Sequence, residues 1–229
     1  MYETVYVEKN KSSRFGVHFY NDSTQWQVFC ANSGIDSENI AVICSKNTKS
    51  EAWNAFAADI GTVLYLSSDE MNEITTIKEF MKKNCEKNFV ILSEAFIMEY
   101  LQLAFKGMDL KINFVVVPIT PFALFDGFTF KPIINDTGEL ISKEMFPVGV
   151  YVDISILLNA TTEEYLGGIA SAFRLSISHK ASMFEWMIYN LYELLDCDND
   201  TIAELLNRGY QVHKERIEKD TARERTIPV

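Results

Sequence analysis

Phe114 to Asp153 reads FVVVPITPFALFDGFTFKPIINDTGELISKEMFPVGVYVD, and its opening residues decide the fold. Phe114 to Val117 is an all-apolar run of the kind a strand buried on both faces shows, and Pro118 ends it. A buried parallel strand that stops at a Pro/Thr loop is where α/β domains place binding groups, outside the carboxyl ends of the strands. Downstream, Asp126, Lys131 and Asn135 sit among Phe, Ile and Pro. Polar groups in an apolar neighbourhood are costly to bury without partners, so the segment reads as a pocket wall.

Toward the N-terminus, Tyr2 to Glu8 alternates apolar and polar residues, and Phe15 to Tyr20 does so again after the polar turn Lys9 to Ser13, which predicts a β-hairpin. Strand-like runs follow at Ile40 to Cys44, Thr62 to Leu66 and Phe89 to Leu92, separated by helical stretches at Ser50 to Ala58, Ile74 to Lys83 and Ala95 to Phe105. With Phe114 to Val117 these make four runs separated by helix-length segments, the pattern of a parallel sheet covered on both faces. Beyond Asp153 the chain reads as helix: Thr161-Thr162-Glu163-Glu164 is a capped start, and three helices are expected over Glu163 to Ile177, Ala181 to Leu195 and Thr201 to Lys219. The charge-dense Glu215 to Arg225 reads as a solvated helix end. Two units are therefore expected: an α/β, Rossmann-like domain over 1–153 and a helical domain over 154–229.

The 229 residues carry 21 Lys plus Arg against 32 Asp plus Glu, a net charge of −11. That balance argues against nucleic acid, whose non-specific affinity comes from cation clusters. Cys30, Cys44, Cys85 and Cys197 are widely spaced without a CxxC pair and read as reduced thiols. No apolar run approaches the length of a membrane span and no signal-peptide pattern opens the chain, so a cytoplasmic protein without a membrane partner is expected.

Several chemistries lack their residues. A pyrophosphate cradle needs glycines at a strand-to-helix turn, and after Phe89 to Leu92 stands Ser93-Glu94-Ala95, which also reads as a helix start capped by Ser93. His18, His179 and His213 lie in unrelated elements, and none pairs at ligand spacing. There is no nucleophile elbow and no Walker-type loop.

The phrases PITPFALFD, KPIIN, FPVGVYVD and TTEEYLGGIASAFR, in that order, resemble the dehydroquinate synthase family of sugar phosphate cyclases. The resemblance runs over nearly the whole chain. It implies a nucleotide-binding α/β domain followed by a helical domain, and active members that use NAD and a divalent metal, usually zinc, to turn a phosphorylated keto sugar acid into a carbocycle. Pro118, Thr120, Asp126, Lys131, Asn135, Pro147 and Asp153 stand where the family has the same residue. Glu70 fits a cofactor-contacting segment, and Thr120 is a second cofactor-side candidate. The resemblance also marks departures. Glu73 replaces a lysine, Ser93-Glu94-Ala95 replaces a triple-glycine loop, and Glu99 stands for the Asp that follows it. Ser171 occupies the position of a metal-binding Glu, Arg174 that of a Lys, and His213 that of a later Lys. Two metal-binding histidines of the family would fall beyond Val229, so the helical domain is expected to be truncated.

Two functional classes follow. One is a pseudoenzyme that acts as a binding or partner subunit, as a homodimer or with a related full-length protein. In that reading Trp186 and Tyr189 are interface candidates on the helix Met183 to Leu195, and Phe184, Met187 and Leu191 belong to the core. The other is an enzyme of altered chemistry, a carbon–oxygen lyase related to 3-dehydroquinate synthase, with Asp126, Lys131, Asn135 and Arg174 around an anionic sugar phosphate or sugar acid. Each has a plainer alternative: Asp126 as a turn cap, Lys131 as a surface strand residue, Arg174 as an exposed helix charge. A third reading, the front half of a split enzyme, is opposed by the missing glycines. On the family resemblance NAD and zinc sites are degraded, so neither cofactor is expected to bind.

Overall fold

Strand β6 (Phe114–Pro118) lies near the middle of a seven-stranded sheet ordered β1-β2-β7-β6-β5-β3-β4. The computed structural model describes residues 4–10, 13–48, 50–67, 73–105, 108, 112–126 and 146–224. The hairpin partners β1 (Val5–Asn10) and β2 (Ser13–Tyr20) are antiparallel, and every other pairing is parallel. Those parallel strands are β3 (Ile40–Ser45), β4 (Val63–Leu66), β5 (Asn88–Ser93) and β7 (Gly149–Asp153). The helices between them are α1 (Trp26–Ser33), α2 (Glu51–Ile60), α3 (Glu73–Lys83), α4 (Ala95–Phe105) and α5 (Pro121–Asp126). After β7 come α6 (Ser155–Leu158), α7 (Thr162–His179), α8 (Ala181–Tyr189), α9 (Leu191–Leu195) and α10 (Asn199–Glu224).

The apolar runs become strands because both faces are covered. Side chains alternate across a strand: Ala41, Ile43, Phe89, Ile91, Phe114, Val116, Val150 and Val152 enter one core, while Ile40, Val42, Cys44, Val90, Leu92, Val115, Val117 and Tyr151 enter the other. The first core also takes Tyr165, Ile169, Ala172 and Leu175 of α7 and Leu206 and Tyr210 of α10, so the late helices share it with the sheet. The second is closed by Trp26 and Phe29 of α1 and Trp53 of α2.

Local signals account for most helix limits. The Ser50 hydroxyl accepts from the Trp53 amide at the start of α2, and Thr161 with Glu164 forms a full capping box on α7. Ser93, expected as a cap, is instead the fully buried last residue of β5, and the Glu94 carbonyl accepts from the amides of Ile97 and Met98. The single helix expected over Ala181 to Leu195 is two, because Asn190 leaves helical geometry (φ −102°, ψ 27°) and its side-chain amide donates to the Trp186 carbonyl. Helices α1, α5 and α6, and strand β7 as a ladder member between β2 and β6, are not visible as periodic runs.

Asp153 closes β7 with 1% of its surface exposed. One carboxylate oxygen accepts from Trp53 Nε1 at 2.8 Å, and the other from the Ser155 amide at 2.9 Å and the Ser155 hydroxyl. Burial pushes this carboxyl above its ordinary pKa, against the pull of those hydrogen bonds. A carboxyl raised on folding stabilises the native state while protonated, and that contribution fades as pH rises through the folded-state value. The urea midpoint of the parent minus that of Asp153→Asn should therefore grow as pH falls from neutrality toward the ordinary carboxylate range. Trp53→Phe, which removes one donor from this buried group, should cost about 1–3 kcal/mol at neutral pH in the same measurement.

Candidate functional site

Helix α5 sits just beyond the carboxyl end of β6, where the Thr120 hydroxyl accepts from the Ala123 amide and starts it. Two glycines allow its neighbours to close in. A Cβ on Gly168 of α7 would lie 2.8 Å from Pro121 Cβ and 3.1 Å from the Pro121 carbonyl oxygen, and one on Gly209 of α10 would lie 3.2 Å from Phe125 Cδ1. His213 of α10, 1% exposed, donates from Nε2 to the Phe125 carbonyl at 2.6 Å. The short helix is thus held between two longer ones.

This clamp brings Asp126, at the end of α5, against Arg174, six residues beyond Gly168 on α7: Arg174 Nη2 and Asp126 Oδ2 form an ion pair at 2.5 Å. The Asp126 side chain is 15% exposed and that of Arg174 60%, and the guanidinium also lies over the Phe122 ring, 5.5 Å from its centroid. Beside the pair opens a cleft of about 150 Å³, bounded by Phe125, Asp126, Ser171, Arg174, His179 and Arg216. Among the described residues the lining holds two arginines and a histidine beside one carboxylate, in a chain of net charge −11. Such a lining suits a small anion.

Of the residues singled out in the sequence, Asp126, Arg174 and Ser171 meet in this cleft, and His213 stands directly behind it. Thr120 serves the α5 start, and Asp153 is committed to Trp53 and Ser155. Lys131, Asn135 and Glu70 lie outside the described residues. Arg216 was not singled out in the sequence, and His179 was named there only as one of three histidines in unrelated elements; both line the cleft. Arg216 falls in the charged stretch read as a solvated helix end, and for its described part that reading is corrected: Glu215 pairs with Lys180 at 2.5 Å, Arg216 lines the cleft and Glu218 bonds to β1. The available signal was spacing, since Val212, His213, Arg216 and Ile217 follow the buried side of α10 at intervals of one helical turn.

The turn after β5 lies at the topological switch point, because β3 has β4 on one side and β5 on the other. Burial, and next the charge of Glu94, push the Cys44 thiol up to about 12, which places the Glu94 carboxylate near the carboxyl end of β3. Glu73, where the family resemblance has a lysine, is 3% exposed and accepts from the Ser67 amide at 2.7 Å. The described residues here do not fit a pyrophosphate, which needs open backbone amides and no facing carboxylate. Nor do they fit a resident metal ion: among the described residues no three His, Cys, Asp or Glu side chains converge. No described helix is long and apolar enough to cross a membrane.

No family model matches the chain. It is 26% identical over 116 residues to the 3-dehydroquinate synthase of Thermoanaerobacter pseudethanolicus, covering 49% of this chain and 33% of that one. It is 22% identical to the 3-dehydroquinate synthase of Buchnera aphidicola subsp. Cinara cedri, over 96% of this chain and 64% of that enzyme. Over these stretches the chain is similar to 3-dehydroquinate synthases. Its fold matches that of 2-epi-5-epi-valiolone synthase from Streptomyces hygroscopicus subsp. jinggangensis, a structure with NAD+ and Zn2+ bound, at a TM-score of 0.70 and 12% identity over 94% of this chain and 64% of that one. The dehydroquinate synthase-like chain thus spans from a third to just under two thirds of these relatives. Because Gly168 meets Pro121 backbone, Gly168→Ala should force α7 off α5 and cost about 1–3 kcal/mol by overpacking, read as a lower urea midpoint with an unchanged m-value.

Proposed function

We propose that this dehydroquinate synthase-like chain is a binding protein that holds a small anionic molecule between α5, α7 and α10 and does not carry out the cyclisation of its relatives. The observation that carries the reading is the lining of the cleft: Ser171 and the Arg174–Asp126 ion pair stand together there, with His213 turned onto the Phe125 carbonyl. A metal contributes several kcal/mol of charge stabilisation to such chemistry, and one missing electrostatic partner alone can cost about 3 kcal/mol of barrier lowering. Here a hydroxyl and a self-paired guanidinium occupy the positions the family resemblance gives to a metal-binding carboxylate and a lysine. The cleft, about 150 Å³, equals roughly five water molecules at ~30 Å³ each, room for a phosphate or carboxylate head group whose remainder projects outward.

A subunit role in an assembly is supported by the outer side of α8 and α9, where Ile188, Tyr189, Tyr192 and Leu195 are 51%, 87%, 80% and 51% exposed. Of the two interface candidates Tyr189 belongs to this strip, whereas Trp186 is half-buried beneath the Arg208 guanidinium at 4.7 Å. The second reading, a lyase of altered chemistry on a phosphorylated sugar or sugar acid, draws its support from Asp126, an acid held beside cations in the cleft.

A thermal-shift titration with inorganic phosphate, sugar phosphates, sugar acids, NAD and zinc tests this. A ligand at a hundredfold excess over its Kd adds about 2.7 kcal/mol, or about 5–10 °C in a chain of this size. The expected result is a shift with an anionic ligand, lost in Arg174→Ala, and none with NAD or zinc. A shift with NAD and zinc together, accompanied by turnover of a phosphorylated keto sugar acid, would overturn the proposal.

A further inference from the structure

Strand β1 is the outermost strand on its side of the sheet. In an antiparallel pair, alternate residues turn both backbone groups toward the partner strand, and the residues between them turn theirs outward. Tyr6 and Glu8 are the outward residues of β1, and both meet α10. The Tyr6 carbonyl accepts from Lys214 Nζ at 2.6 Å, and the Glu8 amide donates to Glu218 Oε1 at 3.2 Å. Lys214 and Glu218 stand one turn apart and pair with each other at 3.1 Å. The helix therefore supplies one donor and one acceptor to two backbone groups two residues apart, as a neighbouring strand would. The Arg14 guanidinium covers the Tyr6 ring at 4.3 Å from the other strand of the hairpin.

An open strand edge is a template for pairing with another chain, and proteins blunt such edges by shortness, charge or cover. The opposite edge, β4, has four residues and is protected by shortness. With six residues, β1 is the longer edge. We propose that Lys214 and Glu218 are an edge guard that closes β1 as a strand-pairing surface, and that the partner they exclude is β1 of a second copy of this chain. A strand that pairs antiparallel with itself does so about a two-fold axis. Both edges are then used up and the assembly closes as a dimer instead of growing. An unguarded β1 offers its outward groups to an identical edge in that way, and α10 occupies them first. The guard acts by hydrogen-bond occupancy, and being a matched Lys–Glu pair it leaves the net charge of the face unchanged.

The test compares the parent chain with Lys214→Ala/Glu218→Ala by light scattering coupled to size exclusion over a concentration series, at about physiological ionic strength so that the charge of −11 is screened. The double variant should self-associate about tenfold more tightly or better than the parent. Its Glu8 amide should exchange faster than the parent's at low concentration and regain protection as the dimer forms. Adding Glu8→Pro should abolish the gain, since proline lacks the outward N–H while the β1–β2 bonds of Val5 and Val7 are untouched. If the double substitution unfolds the chain by circular dichroism, Lys214→Met alone, which removes the donor to Tyr6, is read in the same way. A guardless variant with the parent's mass at every concentration, or an added association that survives Glu8→Pro, would overturn the proposal.

Discussion

The contact between Gly168 and Pro121 is the constraint on which the candidate site depends. Absence of a Cβ at one position of α7 lets a helix of 18 residues lie against the backbone of a six-residue helix. A helix that short is not stable by itself; α5 keeps its shape because α7, α10 and the end of β6 enclose it. Asp126 is therefore carried on a rigid support although the element that bears it is short, and Arg174, six residues on from the glycine, reaches it from the flank of α7. Close packing and ion pairing draw on adjoining sides of one helix.

That dependence explains what could be read from the sequence and what could not. Two-sided burial leaves continuous apolar runs, so β3, β5 and β6 were visible from composition, and the hairpin from its alternation. Short helices such as α5 and α6 contain less than two full turns of periodicity and are fixed by tertiary contacts, which no local pattern records. Strand β7 was masked by its place inside a stretch read as a pocket wall, and only the family resemblance implied it. In the site, Ser171 and Arg174 were found because they stand at landmarks of that resemblance, and Asp126 both for that reason and as a polar residue in an apolar stretch. Arg216 was missed because a run dense in both charges looks the same whether one of its turns faces solvent or a cleft.

Electrostatically the chain is divided. The switch-point turn carries Glu94 where open amides would favour an anion, while the cleft between α5, α7 and α10 concentrates arginines in an otherwise acidic molecule. Among the described residues the arginines that could draw an anion stand beyond β6, not at the turn after β5.

The aromatic cluster on the far face of the sheet has an optical consequence. Of the three tryptophans, Trp26 and Trp53 lie edge to face with ring centroids 6.1 Å apart, both within the core that α1 and α2 close, and Trp53 is fully buried. Trp186 alone belongs to the helical side, beneath a guanidinium. Intrinsic emission from the folded chain is therefore weighted toward the face that the cleft does not share. Trp26 and Trp53 report the integrity of the sheet's second layer, while Trp186, beneath Arg208 of α10, responds to the helical side, so a variant that keeps only one of these groups reads one layer with no added chromophore.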